Sequence, residues 1–429
     1  MTPADEKIVV VGLGYVGLPL AIALARHYAH VVGYDIAERR VAELRDGIDR
    51  TNETDRAELR ATTLRITSIL DEVGDGTFFI VTVPTPVDAN LQPDLGPITR
   101  ATESVGKMLR PGGVVVYEST AYPGMTEDIC GRLLTRASRL RRDQFRLGYS
   151  PERSNPGDRE HTLETTVKVV AGEDAETLER VAHVYESITR VGVHRAPSIL
   201  VAEAARVLEN TQRDLHIALM NEFAMFFGRM GICTNDVLDA AGTRRNFLRF
   251  SPGFVGAPCL GIDSRSLTSD PEGLAHHPAF ILAGCRVNDS MGVHIAHRMF
   301  REMIIGRSLE RGMKLGILGL TSKENVPDLR GSRVPGIVAE LTRLGVTPPL
   351  VHDPHADADE AMRDYGLQLV GLDQFVDLHG VVLAIPHREY RALDCDAMAR
   401  IVKPGGVIGD VPSFFEPSRV PAGRHYWAL

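Results

Sequence analysis

The stretch Lys7–Gly17, KIVVVGLGYVG, decides the fold that we expect of this chain. An apolar run typical of a buried strand ends in Gly12, Gly14 and Gly17, which have the spacing GxGxxG. Helical periodicity begins directly afterwards, so the glycines lie between a strand and a helix. Such a turn lets a pyrophosphate approach the backbone, and the helix N-terminus directs N–H groups at the phosphates.

A second strand pattern, HVVGYD, ends at Asp35, which lies 23 residues after Gly12 (35 − 12). A carboxylate at this place accepts hydrogen bonds from the adenosine ribose and repels a 2′-phosphate, which favours NAD over NADP. Tyr15 and Val16 belong to the same predicted dinucleotide loop. Arg40 either flanks the adenine or is a solvated helix residue. The alternative for the whole motif is a glycine turn that binds nothing.

Composition limits the class of protein. The chain has 429 residues and a formal net charge of −8, which suggests two or three domains and argues against nucleic acid or an anionic membrane as a partner. Its five cysteines are odd in number and widely spaced, as expected of reduced thiols. Neither a signal peptide nor a membrane-spanning run is recognisable, and no metal site is expected. We therefore expect a soluble, cytoplasmic protein.

The order of strand and helix patterns divides the chain into three parts. Residues 1–196 alternate strands and helices, as a parallel sheet with helices on both faces does. Residues 197–307 are mainly helical, and Pro197 is followed by a run of more than thirty residues without proline. Residues 308–429 return to alternation. The pattern predicts an α/β fold with two Rossmann-like, doubly wound domains joined by a long central helix.

The stretch Pro252–Asp263, PGFVGAPCLGID, places Cys259 among small residues. Two interpretations of this cysteine are open from the residues alone. A thiolate of lowered pKa is a strong nucleophile, whereas many cysteines are simply small buried side chains in a tight bend. Asp263, four residues later, is either part of such a site or the cap of a turn or helix.

Several ordered segments together resemble the UDP-glucose/GDP-mannose dehydrogenase superfamily over essentially the whole chain. Two of them, SPER and ENTQRD, indicate the branch that acts on UDP-N-acetylglucosamine or UDP-N-acetylmannosamine. The other segments are GLGYVGLPLA, TVPTPVD, EST before PG, GFVG before Cys259, and PDLR. The resemblance implies an N-terminal NAD domain, a central helical region that forms a homodimer, and a C-terminal nucleotide-sugar domain.

The resemblance also implies a reaction, in which the C6 alcohol of a nucleotide sugar is oxidised to a carboxylate with two NAD⁺. The Cys259 thiolate adds to an aldehyde, the thiohemiacetal is oxidised to a thioester, and water hydrolyses the thioester. Thr120, Glu152 and Asp263 are implied to bind and activate that water, and Asn210 to support the oxyanion or the sugar. The further assignments are Thr85, Thr120 and Arg330 for NAD, and Arg153, Ser154, Arg206, Asn210, Arg213, Arg245, Gly256 and Lys323 for the substrate.

These polar side chains also have purely structural interpretations. Glu152 and Arg153 are alternatively a pair in a surface loop, and Lys323 with Arg330 are alternatively solvated charges. The polar side chains of the long helix alternatively pair with neighbouring groups across a dimer.

Arg206 departs from the family pattern, which has lysine four residues before Asn210. Arginine keeps the positive charge but does not lose its proton in proteins, so it can hold an alkoxide and cannot be the general base. Other departures lie around the same predicted pocket: Pro258 in place of His, Ser264–Ser266 in place of an aromatic pair, Pro412 in place of Lys, and His216 in place of Asn.

Three functions therefore stay open from the sequence. The first is a four-electron C6 dehydrogenase of a nucleotide sugar. The second is an NAD-using enzyme with a changed outcome, such as a two-electron oxidation or an epimerisation that returns the hydride. The third is a protein that binds a nucleotide sugar without turnover. The intact glycine motif and Asp35 disfavour the third.

Overall fold

The structure, a computed structural model, describes residues 6–86, 93–120, 122–153, 162–255, 278–306, 312–416 and 420–429. Two compact units make up these residues, and the chain passes from the first to the second between Asn210 and Thr211. Four of the predicted site residues lie outside the described residues: Ser154, Gly256, Cys259 and Asp263.

The first unit is built on an eight-stranded sheet with the order β3-β2-β1-β4-β5-β6-β7-β8. Its strands are β1 (Ile8–Val11), β2 (Val31–Tyr34), β3 (Arg65–Thr67), β4 (Phe78–Val81), β5 (Val114–Tyr117), β6 (Arg146–Tyr149), β7 (Lys168–Gly172) and β8 (Val193–Arg195). Its helices are α1 (Gly17–Ala25), α2 (Glu38–Arg45), α3 (Arg56–Ala61), α4 (Gly96–Met108), α5 (Gly131–Ser138) and α6 (Ala175–Glu186). Short 3₁₀ turns span Leu70–Glu72 and Arg142–Gln144, and one π turn spans Thr126–Cys130.

Both faces of this sheet are covered, as the apolar strands predict. Side chains alternate between the faces of a strand, so Ile8 and Val10 of β1 join one apolar cluster while Val9 and Val11 join another. All neighbouring strands run parallel except β6 and β7, which pair antiparallel. The sequence predicted a parallel sheet, and this reversal is the exception to it.

The predicted long helix is confirmed. It is α7 (Ile199–Met230), 32 residues long. Its first turn contributes Ile199 and Ala202 to a core cluster of the first unit, and Ala224 near its other end belongs to the core of the second unit. The helices α8 (Thr234–Gly242) and α9 (Ala279–Ile305) follow it.

The second unit contains a five-stranded parallel sheet with the order β10-β9-β11-β12-β13. Its strands are β9 (Leu315–Leu318), β10 (Leu350–His352), β11 (Leu378–Leu383), β12 (Val402–Asp410) and β13 (His425–Ala428), and its helices are α10 (Val334–Arg343), α11 (Ala358–Tyr365) and α12 (Cys395–Ile401), with 3₁₀ turns at Leu372–Gln374 and Arg388–Ala392. The two sheets and the long helix confirm the predicted fold class.

The three domain boundaries stay predictions. Among the described residues, no helix combines the length and apolar character that crossing a bilayer requires.

The turn between β1 and α1 is packed at one glycine and open at another. A Cβ on Gly17 would lie 1.8 Å from the carbonyl oxygen of Gly12 and 2.3 Å from Oγ1 of Thr82, so strand and helix meet in backbone contact there. A Cβ on Gly14 would meet no atom within 4 Å. Gly12 itself has a φ of +96°, which favours glycine.

We therefore expect Gly17→Ala and Gly14→Ala to differ in stability. The Gly17→Ala side chain overlaps backbone atoms that cannot move aside, and it should lower Tm by at least about 5 °C. The matched Gly14→Ala variant should keep the wild-type Tm within about 1–2 °C. Thermal unfolding of the two variants without added nucleotide measures this difference, and equal Tm values would contradict the described packing.

Candidate active site

The carboxyl ends of β1, β2 and β4 form the site predicted for NAD. The order of the sheet reverses between β1 and β4, and such a switch point is where doubly wound sheets bind ligands. Gly14 lies in the loop after β1, where a Cβ on it would meet no atom of the described residues within 4 Å. Val16, the residue before α1, makes no side-chain cap to the helix. These residues therefore fit a dinucleotide at the helix N-terminus.

Asp35 is fixed beside the glycine loop by two backbone hydrogen bonds. Its Oδ2 accepts from the amide of Leu13 at 2.8 Å, and its Oδ1 accepts from the amide of Ala37 at 2.9 Å. Each carboxylate oxygen has a second lone pair with which to accept from a ribose hydroxyl. The position of Asp35 thus fits the predicted contact with the adenosine ribose.

Arg40 is buried, which its position on the predicted helix did not reveal. Its Nε donates to the carbonyl oxygen of Leu13 at 2.9 Å, and its Nη2 donates to Asp49 at 2.7 Å. The guanidinium therefore supports the glycine loop from inside the unit. A contact of Arg40 with adenine stays a prediction.

Thr85 and Thr120 come together, although 35 residues separate them. Thr85 follows β4, Thr120 follows β5, and Oγ1 of Thr85 donates to the carbonyl oxygen of Thr120 at 2.9 Å. This bond joins two neighbouring loops at the carboxyl edge of the sheet, the edge that also carries Gly14. Their contact with NAD stays a prediction.

Glu152 belongs to a buried ionic cluster. Nζ of Lys168 donates to Oε2 of Glu152 at 3.1 Å and to Oε2 of Glu118 at 3.3 Å, and Tyr185 donates from its hydroxyl to Oε1 of Glu118. The side chains of Lys168 and Glu118 are 1% and 0% exposed, and that of Glu152 is 13% exposed. Glu152 was the only member that the sequence predicted.

The antiparallel pairing of β7 creates this cluster. Tyr149 lies opposite Ala171, and Gly148 lies opposite Gly172. The same register, continued beyond the end of β6, places Glu152 opposite Lys168, the first residue of β7. In a parallel pairing the first residue of β7 would lie at the other edge of the sheet, away from the loops that follow β4 and β5.

Burial controls the charges of the cluster. It raises the pKa of Glu118 to about 7, against the attraction of Lys168. Burial alone would lower the pKa of Lys168, but the two carboxylates Glu118 and Glu152 outweigh it and raise that pKa. Burial also raises the pKa of Tyr185 well above its usual value. Lys168 is therefore an ammonium, and Glu118 changes its charge near neutral pH.

One face of α7 carries three polar residues of this unit. Glu203, Arg206 and Asn210 are spaced by three and four residues and so share that face. Glu203 is buried and accepts from the backbone amides of Gly124 at 2.6 Å and Thr126 at 3.0 Å, which fixes the loop after β5 to the helix. Arg206 is half-buried and Asn210 is buried further along the same face. Sequence reasoning missed Glu203.

Arg153 binds the same helix. Its guanidinium pairs with the carboxylate of Glu209, the neighbour of Asn210, and its Nη1 donates to the carbonyl oxygen of Val167 at 3.1 Å. The described contacts of Arg153 are thus with Glu209 and Val167, whereas that of Glu152 is with Lys168. The binding of substrate by Arg153 stays a prediction.

In the second unit, Lys323 lies in the loop after β9, at the switch point between β9 and β11. His387 fixes this loop: its Nδ1 accepts from the amide of Asn325 at 2.9 Å, so its Nε2 carries the proton and donates to Asp353 at 2.9 Å. Burial alone would raise the pKa of Asp353, but hydrogen bonds from His387 and from backbone amides lower it far below its usual value. Sequence reasoning missed His387 and Asp353.

Three other predicted residues of the second unit are less enclosed. Arg330 pairs with Asp328 through Nε at 2.8 Å and Nη2 at 2.7 Å. Arg213 and Arg245 are exposed. Their assigned contacts with NAD or substrate stay predictions.

Asn221 of α7 holds the beginning of the glycine-rich stretch that leads to Cys259. Its Oδ1 accepts from the amide of Gly253 at 2.8 Å, and its Nδ2 donates to the carbonyl oxygen of Gly253 at 3.0 Å. Its Nδ2 also donates to Asn288 of α9 at 2.8 Å. The side chain is fully buried, so this part of the stretch is fixed to both helices.

A Rossmann sheet with a glycine turn and an acid at the end of β2 defines a dinucleotide-binding domain of the kind that takes NAD. The chain matches the UDP-glucose/GDP-mannose dehydrogenase family in its NAD binding domain at residues 6–189, its central domain at 200–290 and its UDP binding domain at 316–417. The chain therefore belongs to this family, as the sequence predicted. It is an NAD-dependent oxidoreductase, and NAD as the cofactor is confirmed.

Individual relatives are similar over nearly their whole length. Protein CapL of Staphylococcus aureus is 44% identical over 99% of this chain and 100% of its own. UDP-N-acetyl-D-glucosamine 6-dehydrogenase of Pseudomonas aeruginosa is 46% identical over 95% of this chain and 96% of its own. The solved structure of UDP-D-ManNAc dehydrogenase from Pyrococcus horikoshii superimposes with a TM-score of 0.86 at 26% identity, covering 98% of both chains.

The charge of Glu118 predicts a specific pH dependence of stability. Its pKa is raised on folding, so the folded chain favours the protonated form, and its contribution to the free energy of unfolding falls as the pH rises from about 4.5 through about 7. Glu118→Gln imitates the protonated carboxyl, so its free energy of unfolding should not fall with pH for this reason. Between pH 5 and pH 8 the wild type should therefore lose up to about 3 kcal/mol relative to Glu118→Gln. Urea unfolding of both proteins measures the difference, and parallel pH profiles would contradict it.

Proposed function

We propose that this enzyme oxidises the C6 alcohol of a UDP-N-acetylhexosamine to the carboxylate with two NAD⁺, through a thioester on Cys259. The observation that carries the proposal is the Glu152 carboxylate, which Lys168 holds at the same edge of the sheet as Thr85 and Thr120. A two-electron oxidation of an alcohol needs no group to activate water, whereas hydrolysis of a thioester does. The family and the high identity to dehydrogenases of UDP-N-acetyl sugars support the substrate class.

The proposed chemistry balances with one water. NAD⁺ supplies the hydride acceptor in both oxidations. The Cys259 thiolate forms the C–S bond to the aldehyde carbon, and loss of a second hydride leaves a thioester. Water then attacks the acyl carbon, the C–S bond breaks, and the thiolate is regenerated. One alcohol, two NAD⁺ and one water thus give one carboxylate, two NADH and three protons.

The residues of the first unit fit separate steps of this sequence. Glu152 takes the proton of the attacking water, and Thr120 in the neighbouring loop binds that water, together with Asp263. Arg206 and Asn210, on one face of α7, support the oxyanion. Arg206 stays positively charged through the reaction and transfers no proton, so Glu152 is the group that we propose as the base.

In the second unit, Lys323 is proposed to bind the nucleotide of the substrate. The loop that carries it begins at the carboxyl end of β9, and the hydrogen bond between Asn325 and His387 fixes its course. Lys323 brings a positive charge to this loop, which suits the diphosphate of a nucleotide sugar.

We also propose that the enzyme is a homodimer in the cytoplasm, with α7 at the interface. Leu219, Phe223, Phe226 and Met230 are spaced as one apolar stripe on this helix, and each is between 44% and 57% exposed. A second copy of the chain supplies an identical stripe, as a two-fold interface requires. Phe226→Glu should therefore give monomers in sedimentation experiments, whereas Val376→Glu, at an exposed site of the same unit, should not. Dimers of Phe226→Glu would contradict the assignment.

The reaction is tested by the amount of NADH formed per sugar. With UDP-N-acetyl-D-glucosamine and NAD⁺ we expect two NADH for each acid, measured by absorbance and mass spectrometry. Cys259→Ala should lower acid formation by about three orders of magnitude or more, because the thioester cannot form. Cys395→Ala, which removes an exposed cysteine, is the control and should keep full activity.

Other outcomes identify the alternative functions. An altered sugar without net NADH would indicate epimerisation, and one NADH per sugar would indicate a two-electron oxidation. Binding without turnover of any UDP-sugar would indicate a binding protein. Acid formation at the normal rate by Cys259→Ala would contradict the role of the thiol.

A further inference from the structure

We propose that Lys168 is a positioning residue for thioester hydrolysis, which holds the Glu152 carboxylate in its working direction and is itself anchored by Glu118. The inference rests on the proposed function, in which Glu152 activates the water. Neither Lys168 nor Glu118 is expected to touch the substrate, because their side chains are 1% and 0% exposed. They act through Glu152.

The ammonium of Lys168 is held from three sides. It donates to Glu152 at 3.1 Å and to Glu118 at 3.3 Å, and it lies 5.3 Å from the centre of the Tyr185 ring. A buried ammonium binds strongly to carboxylates because water does not compete. Oε2 of Glu152 is therefore fixed, and this restricts the directions in which Oε1 can point.

Glu118 connects this anchor to the other water-binding residue. It lies two residues before Thr120, and its own Oε1 accepts from the hydroxyl of Tyr185 on α6. Lys168 thus joins the loop after β5, which carries Thr120, to the loop after β6, which carries Glu152. The proposed function assigns Thr120 and Glu152 of this unit to the water. The distance between these two residues therefore depends on the ammonium of Lys168.

Removal of the ammonium has a predictable electrostatic result. Glu118 and Glu152 would then be two neighbouring buried carboxylates without a cation, and such a pair binds a proton. Wherever that proton resides, it joins Glu152 to Glu118 by a hydrogen bond, so Oε2 of Glu152 loses its bond from Lys168 and the carboxylate is no longer held towards the water. The hydride transfers need the alcohol, NAD⁺, the thiol and an acceptor for the hydroxyl proton, which we propose is a water held by Asp263 and not Glu152. Loss of Lys168 should therefore slow the last step and leave both earlier oxidations intact.

The chain offers a matched control for a purely structural role. Glu6 and Arg180 form another enclosed ion pair in the same unit, and Glu6 is 2% exposed. Arg180 also donates to the carbonyl oxygens of Gly112 and Thr77, which precede β5 and β4. This pair therefore lies at the amino edge of the sheet, opposite the site. Arg180→Met should lower Tm without changing the steps of the reaction.

The experiment is a pre-steady-state measurement on Lys168→Met with UDP-N-acetyl-D-glucosamine and NAD⁺. We expect a burst of two NADH per active site, followed by turnover at least about 100-fold slower than wild type. Intact-protein mass spectrometry should show the acyl adduct on Cys259 during the slow phase. Lys168→Arg, which keeps the charge, should hydrolyse the adduct faster than Lys168→Met. Arg180→Met should accumulate no adduct.

A third variant keeps the proposal testable where Lys168→Met does not fold. Glu118→Gln leaves the ammonium to Glu152 alone, with Tyr185 as the other titratable group that faces it. Because Glu118→Gln imitates the protonated carboxyl at every pH, its rate of acid release in single turnovers should lack the pH dependence near pH 7 that the titration of Glu118 gives the wild type. A pH profile of Glu118→Gln that parallels that of the wild type would overturn the proposal.

Two further results would also overturn it: turnover of Lys168→Met within about threefold of wild type, or a folded Lys168→Met that is slow without any adduct. The proposed function fails separately, if wild type forms no acid or if Cys259→Ala forms it normally.

Discussion

A buried ammonium group holds together the part of the first unit on which the proposed chemistry depends. Lys168 lies between Glu118 and Glu152, which follow two different strands. It reaches them because β7 runs antiparallel to β6, so that its first residue lies at the carboxyl edge of the parallel strands. A buried pair of carboxylates would be costly without this cation. The direction of one strand thus determines the charge and the spacing of the site.

Both units place their predicted binding loops at a switch point of a sheet, for different proposed ligands. In each, the loops that bear the predicted binding residues follow neighbouring strands on either side of a switch point. Charge distinguishes them. Asp35 beside the glycine loop is predicted to accept from an adenosine ribose and to repel a 2′-phosphate, whereas Lys323 beside β9 is proposed to attract the phosphates of the substrate. An NAD site and a site for the nucleotide of the substrate follow from the same sheet geometry.

Local patterns predicted most of the fold. The glycine turn, the long helix and the alternating strands are patterns of neighbouring residues. The glycine turn together with Asp35 predicted NAD, and the family resemblance predicted the enzyme class. The antiparallel pairing of β7 and the cluster around Lys168 were missed, because they depend on a register between segments that lie far apart in the chain. One signal was present: Lys168 is the single charged residue that opens the apolar run KVVAG, where a lone charge needs a buried partner. The roles of Cys259 and Asp263 stay predictions.

The most direct test of the proposed site is a crystal structure of the enzyme with NAD⁺ and UDP-N-acetyl-D-glucosamine. We expect Sγ of Cys259 within bonding reach of C6 of the sugar, beside the nicotinamide. We also expect the Glu152 carboxylate, still bonded to Lys168, to face a water next to the same carbon. A thiol turned away from C6, or a Glu152 carboxylate that has left Lys168 and points away from the sugar, would contradict the proposed chemistry.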